Sequence, residues 1–311
     1  MNQMTPILDC ARVHSPDGVG VVVIGRNEGA RLAACLASLG AVRRAATVYV
    51  DSGSHDGSPA LARRMDVAVV ELDPARPFTA ARARDAGAEW MMARHPDLRF
   101  LQFVDGDCEL ASGWLTTALA TIARDPRLGV VCGRRRERHP GASPYNRLCD
   151  REWNTPVGLA PTCGGDALVR VEAFQSVGGF NPDLIAGEEP DFCHRLREAG
   201  WLIRRIGCEM TTHDAAMTRF GQWWQRNRRS GYATAEALRS RGRDDPGLWR
   251  AVASNLFWAM PLAWPLWPLL WLNIWRRSDA LYASFTTLGK LPHAQGQIDY
   301  WRSRRRLIEY K

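Results

Sequence analysis

Residues 19–28 read VGVVVIGRNE, an apolar and mostly β-branched run that ends in a polar cluster. The stretch 19–24 has the composition of a buried strand, which Gly25 and the polar residues after it interrupt. From Ala30 to Leu39 the apolar side chains then recur at helical spacing. Residues 19–39 are therefore predicted to form a strand followed by a helix, the repeating unit of an α/β fold.

The same alternation continues toward residue 107. Strands are predicted at 47–50, 67–72 and 99–104, with helices at 58–64 and 80–93 between them. Strands separated by helices predict a doubly wound, mostly parallel sheet flanked by helices. Downstream the pattern weakens, but it still predicts a strand at 129–132, a helix at 192–199 and a strand at 201–206.

Polar clusters follow three of the predicted strands. They are Asn27-Glu28, the residues from Asp51 to Ser54, and Asp105-Gly106-Asp107. Ligands of open α/β sheets bind beyond the carboxyl ends of the strands, so these clusters mark the expected site.

Asp105 and Asp107 are carboxylates on either side of a glycine, and such a pair can approach one divalent cation. Mg²⁺ and Mn²⁺ prefer oxygen ligands and bridge to phosphate oxygens. A plain surface turn is the alternative reading. Similarly, Asp51 could accept hydrogen bonds from a base or ribose, or could simply cap the next helix. Arg84 places a cation where a diphosphate could lie, or is a solvated helical arginine.

Six segments, in order, strengthen the functional reading: VVVIGRNE, VDSGSHDGS, ARDAG, FVDGD, GGDALVRVEAFQSVGGF and GEEPDFCHRLREAGW. Together they resemble family 2 glycosyltransferases over about residues 19–215. The resemblance implies a GT-A fold and an inverting enzyme of the kind that builds bacterial cell-surface polysaccharide or glycolipid. It also implies metal-dependent transfer of a sugar from a nucleotide-sugar to a hydroxyl group.

The resemblance assigns the donor site residue by residue. Glu28, beside Asn27, and Asp51 would hold the nucleoside, with Arg84 nearby. Asp105 would contact the nucleotide and approach the metal, and Asp107 would bind the Mg²⁺ or Mn²⁺ that holds the diphosphate.

Other residues follow from the same resemblance. His213 stands where some related enzymes have a further metal ligand, although a lone histidine is often structural. Asp166 would touch the donor or acceptor sugar, and Trp153 would stack on a sugar ring or lie in the core. Trp224 and Arg226 match an aromatic and cationic patch near the diphosphate and acceptor, or an amphipathic surface helix.

The catalytic base is expected in the segment IAGEEPD, residues 185–191. The family often has Glu-Asp here, whereas this chain has Glu188-Glu189 followed by Asp191. We favour Glu189, then Asp191, with Glu188 as the third candidate. An acidic cluster that merely stabilises a helix N-terminus is the alternative. Two further departures are Asp85, where the family usually has Asn after the arginine, and Ser52, where it usually has a second Asp.

Residues 251–275 contain five tryptophans, three prolines and no charged side chain. The length would permit a membrane span of about 20 residues, but the prolines oppose a straight helix. We expect a kinked or re-entrant segment in the membrane interface, where tryptophan is favoured. A true span, a buried extension and an oligomer contact are the alternatives. Residues 276–311 add eight basic and three acidic side chains, which could meet an anionic surface or remain solvated.

The composition bounds the organisation of the chain. Its 311 residues, 46% hydrophobic, suit one large domain with an appendage. We expect a lead-in at 1–18, a transferase domain at 19–235 and a membrane-associating extension at 236–311. Eight scattered cysteines without a CxxC pair oppose a zinc knuckle, and the start from Met1 to Cys10 lacks the features of a secretory signal. We therefore expect a cytoplasmic protein with reduced thiols, peripheral on the inner face of the membrane.

The expected partners are a nucleotide-sugar donor, a glycan or lipid-linked acceptor and a membrane surface, but no nucleic acid. A sugar-nucleotide nucleotidyltransferase is one alternative, but it would carry a Gly-rich, Lys-containing loop where this chain reads GRNEGA. A nicotinamide-dependent oxidoreductase would need GxGxxG after the first strand, which is missing. A non-catalytic membrane-binding protein would have no use for the ordered acidic residues.

Overall fold

The computed structural model describes residues 18–40, 46–242 and 245–303. The expectations for Met1 to Cys10, for the rest of the lead-in before Gly18 and for the basic residues 304–311 lie outside the described residues. The chain forms two compact units. The first contains the residues up to Arg138, Asp150–Leu184 and Glu188–Ala215. The second contains His139–Cys149, Ile185–Gly187 and the residues from Ala216 onward.

The first unit is built on one sheet. Its strands are β1 (Val19–Gly25), β2 (Thr47–Asp51), β3 (Ala68–Glu71), β4 (Phe100–Asp105), β5 (Cys108–Leu110), β6 (Leu128–Glu137), β7 (Gly158–Leu159), β8 (Ala167–Arg170) and β9 (Leu202–His213). They lie in the order β3-β2-β1-β4-β8-β6-β9-β5, and β7 pairs with β9. The strands from β3 to β4 are parallel, as is β6 with β9, whereas β8 runs antiparallel to both of its neighbours. The predicted α/β class with a mostly parallel sheet is confirmed.

Helices follow the strands much as the periodicity predicts. Those up to residue 198 are α1 (Ala30–Ser38), α2 (Ser58–Arg64), α3 (Ala80–Arg94), α4 (Trp114–Ile122), α5 (Pro144–Glu152), α6 (Val171–Ser176) and α7 (Glu188–Glu198). Helix α3 packs closely on β1 because it carries Gly87, where any side chain would collide with Val22. This close packing fixes the position of Arg84, one turn earlier on the helix.

The register of the parallel strands places the polar clusters on one edge. Ile24 of β1 is paired with Asp105 of β4, and Gly25 is paired with Asp51 of β2. The three strands therefore end at the same level of the sheet. The residues that follow them share the carboxyl edge, where ligands of such sheets bind.

The second unit is helical. Its elements are α8 (Phe220–Arg241), α9 (Pro246–Ala259), a 3₁₀ helix (Pro261–Leu266), α10 (Trp267–Trp275), α11 (Ala280–Leu288) and α12 (Lys290–Ser303). Glycines bring α8 and α12 together, since a side chain at Gly231 or Gly296 would collide with the backbone of the opposite helix.

The apolar segment 251–275 is interrupted, as its prolines predict. Helix α9 ends before Pro261, the 3₁₀ helix contains Pro265, and α10 begins one residue before Pro268. Among the residues that the structure describes, no helix combines the length and the hydropathy needed to cross a membrane.

Candidate functional site

The loop after β1 is tied to the loop after β2. The backbone N–H of Asn27 donates to Ser54 Oγ at 2.8 Å, and Asn27 Oδ1 accepts from the N–H of His55 at 2.8 Å. Asn27 has a φ of 57°, a left-handed conformation that asparagine tolerates better than most residues. Glu28 forms an ion pair with Arg31 at 2.6 Å. Asn27 thus holds two strand-end loops together, and its predicted role toward a nucleoside remains a prediction.

Asp51 is buried and organises its own turn. One carboxylate oxygen accepts from the hydroxyls of Tyr49 at 2.9 Å and Ser54 at 2.5 Å. The other accepts from the N–H groups of Gly53 and Ser54 at 2.9 and 2.8 Å. Burial and the Asp51 charge raise the pKa of Tyr49, so its phenol stays a donor. These four bonds give Asp51 a structural role in this state, and a contact with the nucleoside would require some of them to be exchanged.

The centre of the edge is a buried cluster of arginines and carboxylates. Arg84 on α3 donates to Asp105 Oδ1 at 2.8 Å and to Glu188 Oε1 at 2.7 Å. Arg135 on β6 donates to the other oxygen of Asp105 at 2.8 Å and to Asp166 at 2.7 Å. Each oxygen of Asp105 thus accepts from a different arginine, in a region largely closed to solvent.

The charges in this cluster reinforce one another. Burial by itself favours the neutral acid, but Arg84 and Arg135 hold the pKa of Asp105 below its ordinary value. For the two arginines burial opposes the charge, and the surrounding carboxylates more than offset that effect, so both pKa values are raised. Asp105, Arg84 and Arg135 are therefore ionised at neutral pH, and they place fixed charges close together at the edge of the sheet.

Asp166 accepts hydrogen bonds that hold this cluster in place. Its side chain is fully buried, and it accepts from the N–H of Asp105 at 2.9 Å, from Arg135 Nε at 3.0 Å and from the Thr211 hydroxyl at 2.7 Å. These bonds fix the conformation of Asp105. Asp166 thus acts on the site through Asp105 and Arg135 in this state, and its predicted contact with a sugar remains a prediction.

Arg135 and Thr211 were not among the residues singled out by sequence. A signal did exist for Arg135, because the strand-like run LGVVCG at 128–133 continues directly into Arg134-Arg135-Arg136. Charged residues that extend a buried strand need partners, so this triplet indicated an acidic cluster nearby.

Asp107 lies beside His213. The distance between Asp107 Oδ1 and His213 Nε2 is 3.4 Å, and the imidazole packs edge-on against Trp153 at 4.7 Å between ring centroids. Burial lowers the pKa of His213, but hydrogen bonding to Asp107 and Glu137 outweighs burial and raises it overall. Trp153 also lies under the guanidinium of Arg135, at 5.6 Å. The structure thus brings together three of the predicted residues, since Asp107 contacts His213 and Trp153 packs against His213.

The three candidate bases form different contacts at the start of α7. Glu188 pairs with Arg84 in the cluster, and Asp191 pairs with Arg195 at 2.8 Å. Glu189 Oε1 instead accepts from the N–H of Cys163 at 2.6 Å and lies 3.0 Å from the thiol of Cys193.

Two predicted residues lie in the second unit. Trp224 and Arg226 are on α8, and the indole N–H of Trp224 donates to Gln295 of α12 at 2.8 Å. Both side chains are partly exposed. Their predicted roles near the diphosphate and acceptor remain predictions.

Comparisons with known proteins identify the family. The model of "Glycosyl transferase family 2" matches residues 20–176, about half of the chain. The pre-mycofactocin glycosyltransferase of Mycobacterium tuberculosis is 28% identical over 212 residues, which are 63% of this chain and 42% of that protein. Glycosyltransferase AglE of Haloferax volcanii is 25% identical over 61% of this chain and 66% of its own length. The chain thus spans less than two thirds of the length of each of these relatives.

A solved structure supports the same fold. A mannosyltransferase from Pyrobaculum calidifontis, in complex with GDP-Man and Mn²⁺, superposes with a TM-score of 0.65 at 19% identity. The match covers 93% of this chain and 88% of that one. Together with the sheet order and the strand-end carboxylates, the family match shows that the chain belongs to glycosyl transferase family 2 and has the GT-A fold.

Proposed function

We propose that this protein transfers a sugar from a nucleotide-sugar donor to a hydroxyl acceptor, by a single inverting displacement that requires a divalent cation. The observation that carries the proposal is the grouping of Asp107 and His213 with the arginine–carboxylate cluster of Asp105. Carboxylate, imidazole and guanidinium groups at the carboxyl edge of an α/β sheet suit a nucleoside diphosphate and its metal.

Asp107 and His213 fit a metal site. Metal–ligand bonds of about 2.1 Å place neighbouring ligand atoms about 3.0–3.4 Å apart, and their two atoms are 3.4 Å apart. Both oxygens of Asp105 accept from arginines, so Asp105 would join the metal only by exchanging one of these bonds. A cation held by Asp107 and His213 would supply positive charge next to the diphosphate.

The arginines support the departure of the leaving group. Arg84 and Arg135 are fixed by their carboxylate partners, so they hold their charge in place before any ligand binds. Preorganised cations stabilise charge that develops on a leaving group without the cost of reorganisation. We propose that they face the nucleoside diphosphate, which gains negative charge as the glycosidic bond breaks.

Glu189 is the proposed base. Glu188 and Asp191 each pair with an arginine and would have to leave that partner to accept a proton. Glu189 accepts only from neutral donors, the Cys163 N–H and the Cys193 thiol, in the contacts described above. It would take the proton from the attacking hydroxyl as the new glycosidic bond forms.

The donor assignment is tested by thermal unfolding with UDP, GDP, dTDP or CDP, each with and without Mn²⁺. We expect one nucleotide to raise the unfolding temperature only when Mn²⁺ is present. The relative solved with GDP-Man and Mn²⁺ makes GDP the first choice. Asp107→Asn should abolish the metal-dependent shift, whereas Asp97→Asn, an exposed aspartate before β4, should keep it. A full shift in Asp107→Asn would refute the metal assignment.

We further propose that the acceptor is a glycan or lipid at the cytoplasmic face of a membrane, and that the region from 236 onward associates with that membrane. Apolar side chains are exposed along the interrupted segment, among them Leu262, which is 91% exposed, Leu269 and Trp264. Contiguous exposed apolar side chains with tryptophan suit the membrane interface. The neighbouring Arg276 and Arg277 would face anionic head groups.

Sedimentation with vesicles containing anionic lipid tests this association. We expect the double variant Leu262→Asp/Leu269→Asp to lose most vesicle binding, because two charges would enter the apolar interface. Leu159→Asp is the matched control, since Leu159 is as exposed as Leu269 but lies on β7. Equal loss in the control, or no loss in the double variant, would contradict the proposal.

A further inference from the structure

A second group of metal-ligating atoms lies apart from Asp107 and His213. Cys193 and Glu189 are four residues apart on α7, and Cys163 lies in the loop that leads to β8. The two Sγ atoms are 3.5 Å apart, and Cys193 Sγ is 3.0 Å from Glu189 Oε1. All three potential ligand atoms therefore lie within one coordination sphere.

We propose that Cys163, Cys193 and Glu189 bind a thiophilic divalent cation of the zinc type. Tetrahedral coordination with bonds of about 2.3 Å to sulfur and about 2.0 Å to oxygen places the sulfurs about 3.8 Å apart, and sulfur and oxygen about 3.5 Å apart. The present separations are 3.5 and 3.0 Å, so each of these two distances needs to lengthen by only a few tenths of an ångström. The third pair, Cys163 Sγ and a Glu189 carboxylate oxygen, lies within 4.8 Å. Three protein ligands leave a fourth position for water.

The ligand chemistry separates this site from the site at Asp107. Two thiols and one carboxylate select zinc-like cations, whereas the group at Asp107 offers a carboxylate, an imidazole and a single thiol, that of the buried Cys108. The hydrogen bond with Cys193 and burial raise the pKa of Cys163. The bond to Cys163 lowers the pKa of Cys193, but burial and Glu189 outweigh it and raise that pKa overall. Both thiols therefore carry protons in the metal-free protein. Cation binding would release these two protons to solvent and form two metal–thiolate bonds and one metal–carboxylate bond.

The group of three ligands is partly exposed to solvent. Cys163 and Glu189 are partly exposed, while Cys193 is buried beneath them. A cation could therefore enter from solvent and exchange, unlike one in a closed structural site. A cation bound here would occupy Glu189 Oε1, so it would reversibly inhibit sugar transfer. This consequence rests on the proposed role of Glu189 as the base, whereas the binding itself does not.

Titration of the reduced full-length chain with Co²⁺ tests the binding. Cobalt bound to thiolate gives a near-ultraviolet charge-transfer absorption, which oxygen and imidazole ligands do not produce. We expect this band to saturate at one equivalent and to be displaced by Zn²⁺. Cys163→Ser should remove the band or weaken Co²⁺ binding by about tenfold or more, since one thiolate ligand is lost. Because Cys163 is partly exposed, this variant should fold normally.

Cys208→Ser is the matched control. Cys208 is also a partly exposed cysteine of the same unit, on β9, and its loss should leave the titration unchanged. Absence of the band in the wild-type chain, or an unchanged band in Cys163→Ser, would overturn the proposal. The band is independent of sugar transfer, so failure of the transferase assignment would not alter it. Inhibition of transfer by Zn²⁺ that Cys163→Ser relieves would then link the site to Glu189.

Discussion

Asp85 couples the stability of the first unit to pH. Its carboxylate is partly buried between α3 and the turn at Phe180, whose N–H donates to it at 2.8 Å. Burial raises the pKa of Asp85 from its ordinary 3.8 to about 7, despite the opposing Phe180 hydrogen bond. The folded chain therefore keeps a proton between about pH 4 and 7 that the unfolded chain has lost. A rise in pH through that range favours unfolding.

The size of the effect follows from the shift. Each pKa unit is about 1.36 kcal/mol, so moving from pH 5 to pH 8 would cost at most about 2.6 kcal/mol. Solvent screening of a partly exposed carboxyl reduces this to about 1 kcal/mol. Asp85→Asn removes the titration and keeps an oxygen for the Phe180 N–H. The variant should therefore gain about 1 kcal/mol more over the wild type at pH 8 than at pH 5.

Thermal unfolding at the two pH values measures this difference. A gain of about 1 kcal/mol corresponds to an unfolding temperature about 2–4 °C higher. Asp183→Asn, which neutralises an exposed aspartate, should show the same small difference from the wild type at both pH values. If Asp85→Asn differs from the wild type equally at pH 5 and pH 8, the burial argument is wrong.

Two further predictions concern the arginine–carboxylate cluster. Arg135→Met leaves Asp105 and Asp166 without a shared counterion, and it should lower the free energy of unfolding by about 3–5 kcal/mol. Urea unfolding measures this free energy. A loss below about 1 kcal/mol would contradict the conclusion that Arg135 balances the charges of Asp105 and Asp166. Gly165→Ala would place a methyl group 2.8 Å from Asp105 Oδ2, so we expect metal-dependent nucleotide binding to weaken. Gly221→Ala, with open space around it, should leave binding unchanged, and equal binding by both variants would refute the packing argument.

The place of the candidate site on the sheet could be predicted because it depends on strand ends. An apolar run that stops at polar residues marks the end of a buried strand, and parallel register then brings several such ends together. This argument alone places Asn27, Asp51 and Asp105 on the same edge of the sheet. The alternation of strands and helices likewise predicted the sheet, although the antiparallel insertion of β8 between β4 and β6 left no pattern in the sequence.

Arg135 could not be selected in the same way. Three arginines follow one another on β6, and strict alternation would decide which one faces the cluster. The pairing of β6 with β9 shifts register between Cys132 and Arg134, and again between Arg134 and Arg135. These irregularities change the face of the strand on which the following side chains lie. The orientation of Arg135 therefore depends on a backbone feature that cannot be read from the residue types. The ion pair of Glu188 with Arg84 and the bond from the Cys163 N–H to Glu189 were hidden for a similar reason, since Arg84 and Cys163 lie on other elements.

Strand β9 sets one constraint on how this sequence can vary. Thr211 holds the arginine–carboxylate cluster through Asp166, and His213, two residues later on the same face, contacts Asp107. Both residues pair regularly with β5 and β6. Loss or gain of a single residue between them would turn one of the two to the opposite face. In sequences that preserve both contacts, we therefore expect no insertion or deletion of a single residue between these two positions.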